Sequence, residues 1–252
     1  MYNIAMKILL FLILIFTFNT FADSLEDDFA DDFEQEFTTT NTNNEVFDPL
    51  SSYNRFMTDV NDFFIINIFQ PVSDGYKFIT PKPVRESVDN FFSNLYYPVS
   101  VSNNLLQLKF KYSMDETFRF LTNTSLGLFG LFDVGKNWFG VDPHQEDFGQ
   151  TLGHYGVGSG FPIVIPLFGQ SNLRDFSAGF VDVYANPRFW YTQTIEDNMV
   201  SYATYFTIRT YNSINRYSLS PVSYEDLTKS AFDLYPFLRN LYEQNRNKLI
   251  KE

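Results

Sequence analysis

The 252-residue chain contains no cysteine. Within these residues that excludes disulfide frameworks, thiolate metal sites, thiol nucleophiles and a lipid attached to cysteine. Histidine is almost as scarce. His144 and His154 are too few for a His-rich metal site, so neither a metal nor another cofactor is expected. Lys and Arg number 18 against 30 Asp and Glu. The resulting net charge of −12 argues against nucleic acid as a partner, because phosphate contacts need clustered basic side chains. Glycine and proline, at 12 and 11 residues, are too few for a fibrous repeat. Aromatics are abundant instead: 30 Phe, 16 Tyr and 2 Trp make 19% of the chain, matching the 19% that is charged. Such a chain is too apolar for wholesale disorder. At this length it buries about 70–75% of its unfolded surface without a covalent staple.

The one long apolar run is N-terminal. Lys7 precedes an unbroken apolar stretch from Ile8 to Phe16, and Thr20-Phe21-Ala22 completes a secretory signal with cleavage expected after Ala22. Met6 is an alternative initiator. An uncleaved anchor is the rival reading, but the stretch from Ile8 to Ala22 falls short of the roughly 20 residues that cross a bilayer. Residues 23–47 carry nine acids and no Lys or Arg, which predicts a disordered linker. Its Phe29, Phe33 and Phe37 would form one stripe if the segment became helical, so a docking peptide for a basic partner stands beside a solvated spacer. The net charge therefore divides unevenly. Lys7 contributes +1 and the tail −9, leaving −4 for residues 48–252.

From Asp48 onward the apolar period is helical. Asp48-Pro49 opens a run through Leu50, Tyr53, Phe56, Met57, Val60, Phe63 and Phe64 that Pro71 is expected to stop. A second helix is predicted from Pro83, with Val84, Val88, Phe91, Phe92 and Leu95 on one face. Ser113 and Glu116 have capping-box spacing ahead of Phe118 and Leu121. Ser171 is the predicted cap of a helix through Leu173, Phe176, Phe180 and Val181 that halts at Pro187. A last helix is predicted from Ser223 with a break at Pro236. No even series of alternating strands is present, so the prediction is all-α, with a β-barrel disfavoured. Two segments fit a water-soluble bundle poorly: the side chains of 126–132 are wholly apolar, and 149–169 holds six glycines and Ile163-Val164-Ile165 between Pro162 and Pro166. They read either as a glycine-softened core helix with a buried loop, or as an amphipathic piece between lipid and a polar lumen.

Catalytic motifs fail on detail. Residues 130–137 place Gly130, Gly135 and Lys136 as a phosphate-binding loop would, but Asn137 stands where a magnesium-binding hydroxyl is needed. Gly156-Val157-Gly158-Ser159-Gly160 matches neither dinucleotide spacing, since position 161 is Phe, nor a nucleophile elbow. His144, Glu146 and Asp147 are a weak ligand set. A hydrolase using Ser159 with His154 or His144 remains open on residue types alone.

A series of motifs then falls in one order. It begins with Asp-Pro-Leu-Ser-Ser-Tyr-Asn-Arg-Phe-Met at 48–57, which includes Asn54 and Arg55. It continues through Asn-Phe-Phe-Ser-Asn-Leu at 90–95, Asn-Asn-Leu-Leu-Gln at 103–107, Arg-Phe-Leu-Thr-Asn-Thr-Ser-Leu-Gly at 119–127 and Gly-Leu-Phe-Asp-Val at 130–134. It ends with Glu-Asp-Phe-Gly-Gln-Thr-Leu-Gly at 146–153, the glycine series at 156–160, and Leu-Arg-Asp at 173–175. In these motifs the chain resembles the MlaA (VacJ) family over about 48–185. Beyond about 190 only a generic helical tail is shared.

The resemblance implies a ring-like arrangement of amphipathic helices with a glycine-rich irregular segment, embedded in or on the outer membrane at its periplasmic side. It implies removal of phospholipid mislocalised to the outer leaflet, transfer to a soluble periplasmic carrier, and residence beside a trimeric porin. No catalysis is implied. The layout expected is a signal at 1–22, an acidic linker at 23–47, a helical membrane domain at 48–220 and a C-terminal helix at 221–252. Family members are lipoproteins, whereas these residues offer no cysteine to acylate, so an unacylated chain is expected. One acyl chain supplies only marginal binding, about 10⁴ M⁻¹. On the order of 600 Å² of apolar surface in lipid would contribute roughly 15 kcal/mol gross. By resemblance the lipid path is assigned to Leu126, Leu128, Phe129, Leu131, Phe132, Asp133, Lys136, Gly153, Gly156, Gly158 and Gly160, with polar support from Asn54, Arg55, Glu146, Asp147, Arg174 and Asp175. A lipid hydrolase and a purely structural porin partner are the alternatives.

Overall fold

A computed structural model describes residues 46–194 and 198–252. The export segment and most of the acidic linker, with its three-phenylalanine stripe, lie outside the described residues. Asp48 begins the first helix: its carboxylate accepts the Leu50 N–H at 3.2 Å and its carbonyl the Ser51 N–H at 3.3 Å, and α1 then runs Ser51–Phe64. Pro71 does not stop the chain as expected. A π-helical turn, Ile65–Phe69, leads directly into α2, Gln70–Ile79, with Pro71 in its first turn. The wider spacing of the π turn accommodates both effects of a proline inside a helix, the lost N–H and the ring's clash with the preceding turn.

The order continues with α3 (Lys82–Leu95), α4 (Tyr97–Leu106), α5 (Phe110–Ser125), α6 (Val134–Phe139) and α7 (Phe148–His154). Ser113 does not cap α5, which starts three residues earlier. Ser113 and Glu116 are instead buried within the helix. An antiparallel hairpin follows, β1 (Pro162–Ile165) paired with β2 (Gly169–Asn172), in the register Pro162↔Asn172. Strand β1 occupies the proline-bracketed run for which a loop or amphipathic piece was expected, and β2 begins at the last of the six glycines. Then come α8 (Leu173–Ala185), α9 (Pro187–Gln193), α10 (Asn198–Leu219), α11 (Tyr224–Thr228) and α12 (Leu234–Lys251). The cap of α8 is Asn172, whose side chain accepts the Asp175 N–H, while Ser171 lies in β2. Ser223 does cap a helix, α11, but the break before α12 falls ahead of Pro236, which sits in the first turn where its missing N–H costs nothing. The fold is thus all-α in class with one small hairpin.

The packing closes on itself. Helix α2 packs on α10, α10 on α3, α3 on α5, α5 on α4, α4 on α7, α7 on α12, and α12 returns onto α1. The C-terminal segment is therefore a wall of the ring. Its residues Tyr224, Phe237, Leu238 and Leu241 form the largest apolar cluster, which also takes in Ile65 from the π turn.

What faces inward is mostly polar. Among the described residues 30 buried side chains are polar or charged and 13 are apolar, while 37 large apolar side chains are exposed. In α1 the buried stripe is Asn54, Thr58 and Asn61, with Phe56 and Phe63 outside. The stripe holds the hairpin: Asn54 donates to the Pro162 carbonyl at 3.0 Å and accepts the Val164 N–H at 2.8 Å, and Asn61 donates to the Ile165 carbonyl at 3.0 Å. In α4 Ser100, Asn103 and Asn104 are buried, as is Gln107 just after it, and in α5 Ser113, Glu116, Arg119 and Asn123. A protein surrounded by water keeps such side chains outside. The inverted partition suits a ring with a wet interior and an apolar environment.

Candidate functional site: a polar cavity within the helical ring

The ring encloses a cavity of about 460 Å³ walled by α3, α5, α6, α7, α10, α12 and the segment between α6 and α7. Five of the residues singled out from sequence line it: Asp133, Lys136, His144, Glu146 and Asp147. Asp133 caps α6 through the Lys136 N–H at 3.1 Å, pairs with Arg119 at 3.0 Å and accepts from Asn123 at 3.1 Å. Lys136 reaches Asp142 at 3.7 Å near the rim. Glu146 is buried, and that burial raises its carboxyl above the ordinary range despite Lys109 at 2.7 Å and a hydrogen bond from Gln107.

Asp147 caps α7 through the Gln150 N–H at 2.7 Å and accepts both terminal nitrogens of Arg246, at 2.7 and 2.8 Å. Burial works against its charge, but the Arg246 guanidinium outweighs it and holds the carboxyl below the usual range. Arg246 also donates to Asp175 at 3.0 and 3.3 Å. Asp175 in turn accepts from Arg174, Asn172 and the Tyr242 hydroxyl. Arg174 and Asp175 thus brace the wall from behind and do not line the cavity. Asn54 is committed to the hairpin, and Arg55 makes an exposed 2.7 Å pair with Asp233.

Leu126, Leu128, Phe129, Leu131 and Phe132 stand on the exterior, Phe129 being 74% exposed. The turn that presents them is strained: Leu128 and Phe129 take φ of 52° and 61°, left-handed values that cost non-glycine residues about 1–2 kcal/mol each. Two glycines make it possible. A Cβ on Gly127 would sit 2.3 Å from the Phe132 carbonyl oxygen, and one on Gly130, at φ +92°, 2.6 Å from Asn94 Cβ. Gly127→Ala is expected to cost about 1–3 kcal/mol, read as a lowered melting temperature. An unchanged melting temperature would show that the turn is not held this way. Gly153 lies in α7 against Ile250 of α12, and Gly156, Gly158 and Gly160 lie along the turn between α7 and β1; none of the four lines the cavity.

Sequence reasoning missed half the wall. Asp89 from α3, Arg216 from α10, and Asn245 and Arg246 from α12 line the cavity. The helical tail that carried no distinctive motif therefore supplies two of its arginines. His144 also lines it, its ring stacked on Tyr112 with centroids 3.9 Å apart, while its backbone N–H donates to Glu116 at 2.6 Å. Among the described residues no hydrogen bond joins Ser159 to His154, and no group of three or more His, Asp or Glu is gathered as a metal site. Also among the described residues, no helix is long and apolar enough to cross a membrane.

Behind the cavity floor, Asp182 on α8 accepts the Phe148 N–H through both oxygens, at 3.1 and 3.0 Å, and Asn103 at 3.1 Å. Burial and then the negative charge of Asp147 push its carboxyl up to about 7. The folded chain holds this proton more tightly than the unfolded chain, whose carboxyl titrates near ~4. This contribution is fully present below ~4 and declines as pH rises toward about 7. Asp182→Asn should remove that decline, so the melting temperature of the parent falls relative to the variant across this interval. A pH-independent difference would refute the assignment.

The described residues thus form a helical ring with a polar cavity, an apolar exterior and a strained hydrophobic turn. Comparison with known proteins agrees. The chain belongs to the MlaA family: the family described as MlaA lipoprotein matches residues 46–249, well past the point where recognisable motifs end. A protein of Rickettsia prowazekii (strain Madrid E) is 35% identical over 208 residues, covering 82% of this chain and 79% of the relative. The intermembrane phospholipid transport system lipoprotein MlaA of Escherichia coli (strain K12) is 35% identical over 151 residues, covering 58% of this chain and 59% of its own. A solved structure from work on maintenance of bacterial outer membrane lipid asymmetry superposes with a TM-score of 0.66. It is 30% identical, over 81% of this chain and 98% of the other.

Proposed function

We propose that the chain removes mislocalised phospholipid from the outer leaflet of the outer membrane through its cavity and delivers it to a soluble periplasmic carrier. The observation that carries this reading is the inverted partition, with charged side chains around the cavity and large apolar side chains outside. A phospholipid has a charged head and apolar tails, so a route for it needs both surfaces within one molecule's length. No bond is made or broken. The head crosses among groups already paired, such as Arg119 with Asp133 and Arg246 with Asp147, which lowers the cost of leaving water. The outward apolar side chains, Phe78 at 92% exposure among them, hold the ring in the periplasmic side of the membrane. The names of the relatives above support the same reading.

Deleting the gene and measuring phospholipid exposed at the cell surface tests it. A rise is expected, reversed by the chain supplied in trans. Unchanged surface phospholipid would sink the reading and leave a structural role beside a porin. Fatty-acid release by the purified protein that vanishes in Ser159→Ala would point instead to a hydrolase.

A further inference from the structure

Arg119, Arg174 and Arg246 are buried, and each meets a carboxylate at 3.0 Å or closer. Arg209 on α10 is as deeply buried, at 5% exposure, and meets no carboxylate among the described residues. Its Nη1 reaches the Tyr205 hydroxyl only at 3.5 Å, and its guanidinium lies 6.0 Å from the centroid of the same ring. Its Nε is buried with no hydrogen-bond partner among the described residues. A neutral phenol one turn away is a weak substitute for a counter-ion. A charge taken out of water without one costs more than a ring contact returns. Such breaches of the pairing rule are expected where a ligand completes the site.

Placement indicates which ligand. Arg209, Asn212 and Arg216 follow one another on one face of α10, at i, i+3 and i+7. Arg216 lines the main cavity, and Asn212 lines a narrow arm that opens off it between α3, α9 and α10. Asn212 is 4% exposed, and its Oδ1 is also buried with no hydrogen-bond partner among the described residues. Arg209 stands about 10 Å along α10 from Arg216. It lies toward the hairpin, where Tyr205 and Phe206 pack against Ile165 and Phe168.

We infer that Arg209 is a phosphate-binding station on the lipid route beyond the cavity. Its guanidinium receives the phosphodiester of a glycerophospholipid and so distinguishes that lipid from an uncharged glycerolipid. This deepens the function proposed above and rests on it. A phosphate presents oxygens that a planar guanidinium meets in pairs. The arm, at about 20 Å³, admits only a water-sized group, so the phosphate arrives when α10 moves against α3 and α9. Relief of the unpaired charge favours that exchange. Free phosphate has the same chemistry, so the two sources must be separated.

The test uses the full chain purified in nonionic detergent micelles doped with phosphatidylethanolamine or with diacylglycerol of the same acyl chains. Co-eluting lipid and melting temperature are measured. The parent should retain the phospholipid about tenfold over diacylglycerol, the scale of one charge-assisted hydrogen bond. Arg209→Met should lose that advantage and keep diacylglycerol retention. In lipid-free micelles it should melt no lower than the parent, because it removes an unpaired buried charge. Arg209→Lys keeps a point charge without the fork and should keep part of the advantage. A melting temperature several degrees lower in Arg209→Met, or failure of that variant to fold, would make Arg209 a structural residue and overturn the inference. An undiminished advantage in that variant would overturn it as well. Equal retention of both lipids by the parent refutes the phosphate station and leaves the lipid route standing, whereas retention of neither refutes the route itself. Inorganic phosphate that raises the melting temperature of the parent but not of Arg209→Met, with no advantage of phospholipid over diacylglycerol, would make this a free-phosphate site and also overturn the inference.

Discussion

Arg246→Met is expected to destabilise the protein by about 3–5 kcal/mol, because it strands the Asp147 carboxylate and takes from Asp175 one of its two guanidinium partners. For a domain of this size that corresponds to a fall in melting temperature of about 10 °C or more. Arg246 is 4% exposed and engages Asp147 through two parallel bonds while also reaching Asp175. Burial disfavours its charge, but the two carboxylates hold its proton well above the usual arginine range. Removal leaves Asp175 with Arg174 at 2.8 Å and Asp147 with only its helix-capping bonds. Two companion variants identify the cause. Arg246→Lys keeps the charge but loses the planar fork, so it should recover only part of the loss. Adding Asp147→Asn to Arg246→Met removes one stranded charge and should recover part by a different route. A melting temperature unchanged in Arg246→Met would mean that α12 does not close the ring as described.

The second large effect is functional. Leu128→Lys and Leu131→Lys place a charge on the strained exterior turn, whose apolar side chains already point outward. A Lys in an apolar membrane layer costs about 2–4 kcal/mol. The backbone holds these residues in place, so the charge cannot simply rotate inward. The expected result is raised surface-exposed phospholipid at unchanged protein level and unchanged melting temperature. Wild-type lipid asymmetry in both variants would show that the turn does not meet lipid.

Much of the helical pattern was legible. The Pro83 start of α3, the Asn186–Pro187 boundary after α8 and the Ser223 cap of α11 follow from local chemistry that tertiary context left alone. The orientation of the helices was not legible. An apolar stripe has the same period whether it packs on a core or faces outward, so Phe56 and Phe63 could be placed on one face of α1 without showing that Asn54, Thr58 and Asn61 take the interior. Ser113 and Glu116 misled for the same reason: capping-box spacing three apart is also the spacing of one helix face, here the inward one. The site was half legible. Asp133, Glu146 and Asp147 fall in motifs, whereas Arg246 meets Asp147 across 99 residues and Arg216 sits in a helix without a distinctive motif. Long-range pairing of that kind leaves no local signal.

The absence of cysteine makes one decisive measurement possible. Ser93 lines the cavity, so Ser93→Cys creates a single thiol within it. Cells relying on this variant would be treated with a bulky maleimide and their outer-leaflet phospholipid measured, with the cysteine-free parent treated identically. If lipid moves through the cavity, surface phospholipid rises in the labelled variant and stays low in the parent. Full labelling of Cys at position 93 with surface phospholipid no higher than in the parent would contradict the account.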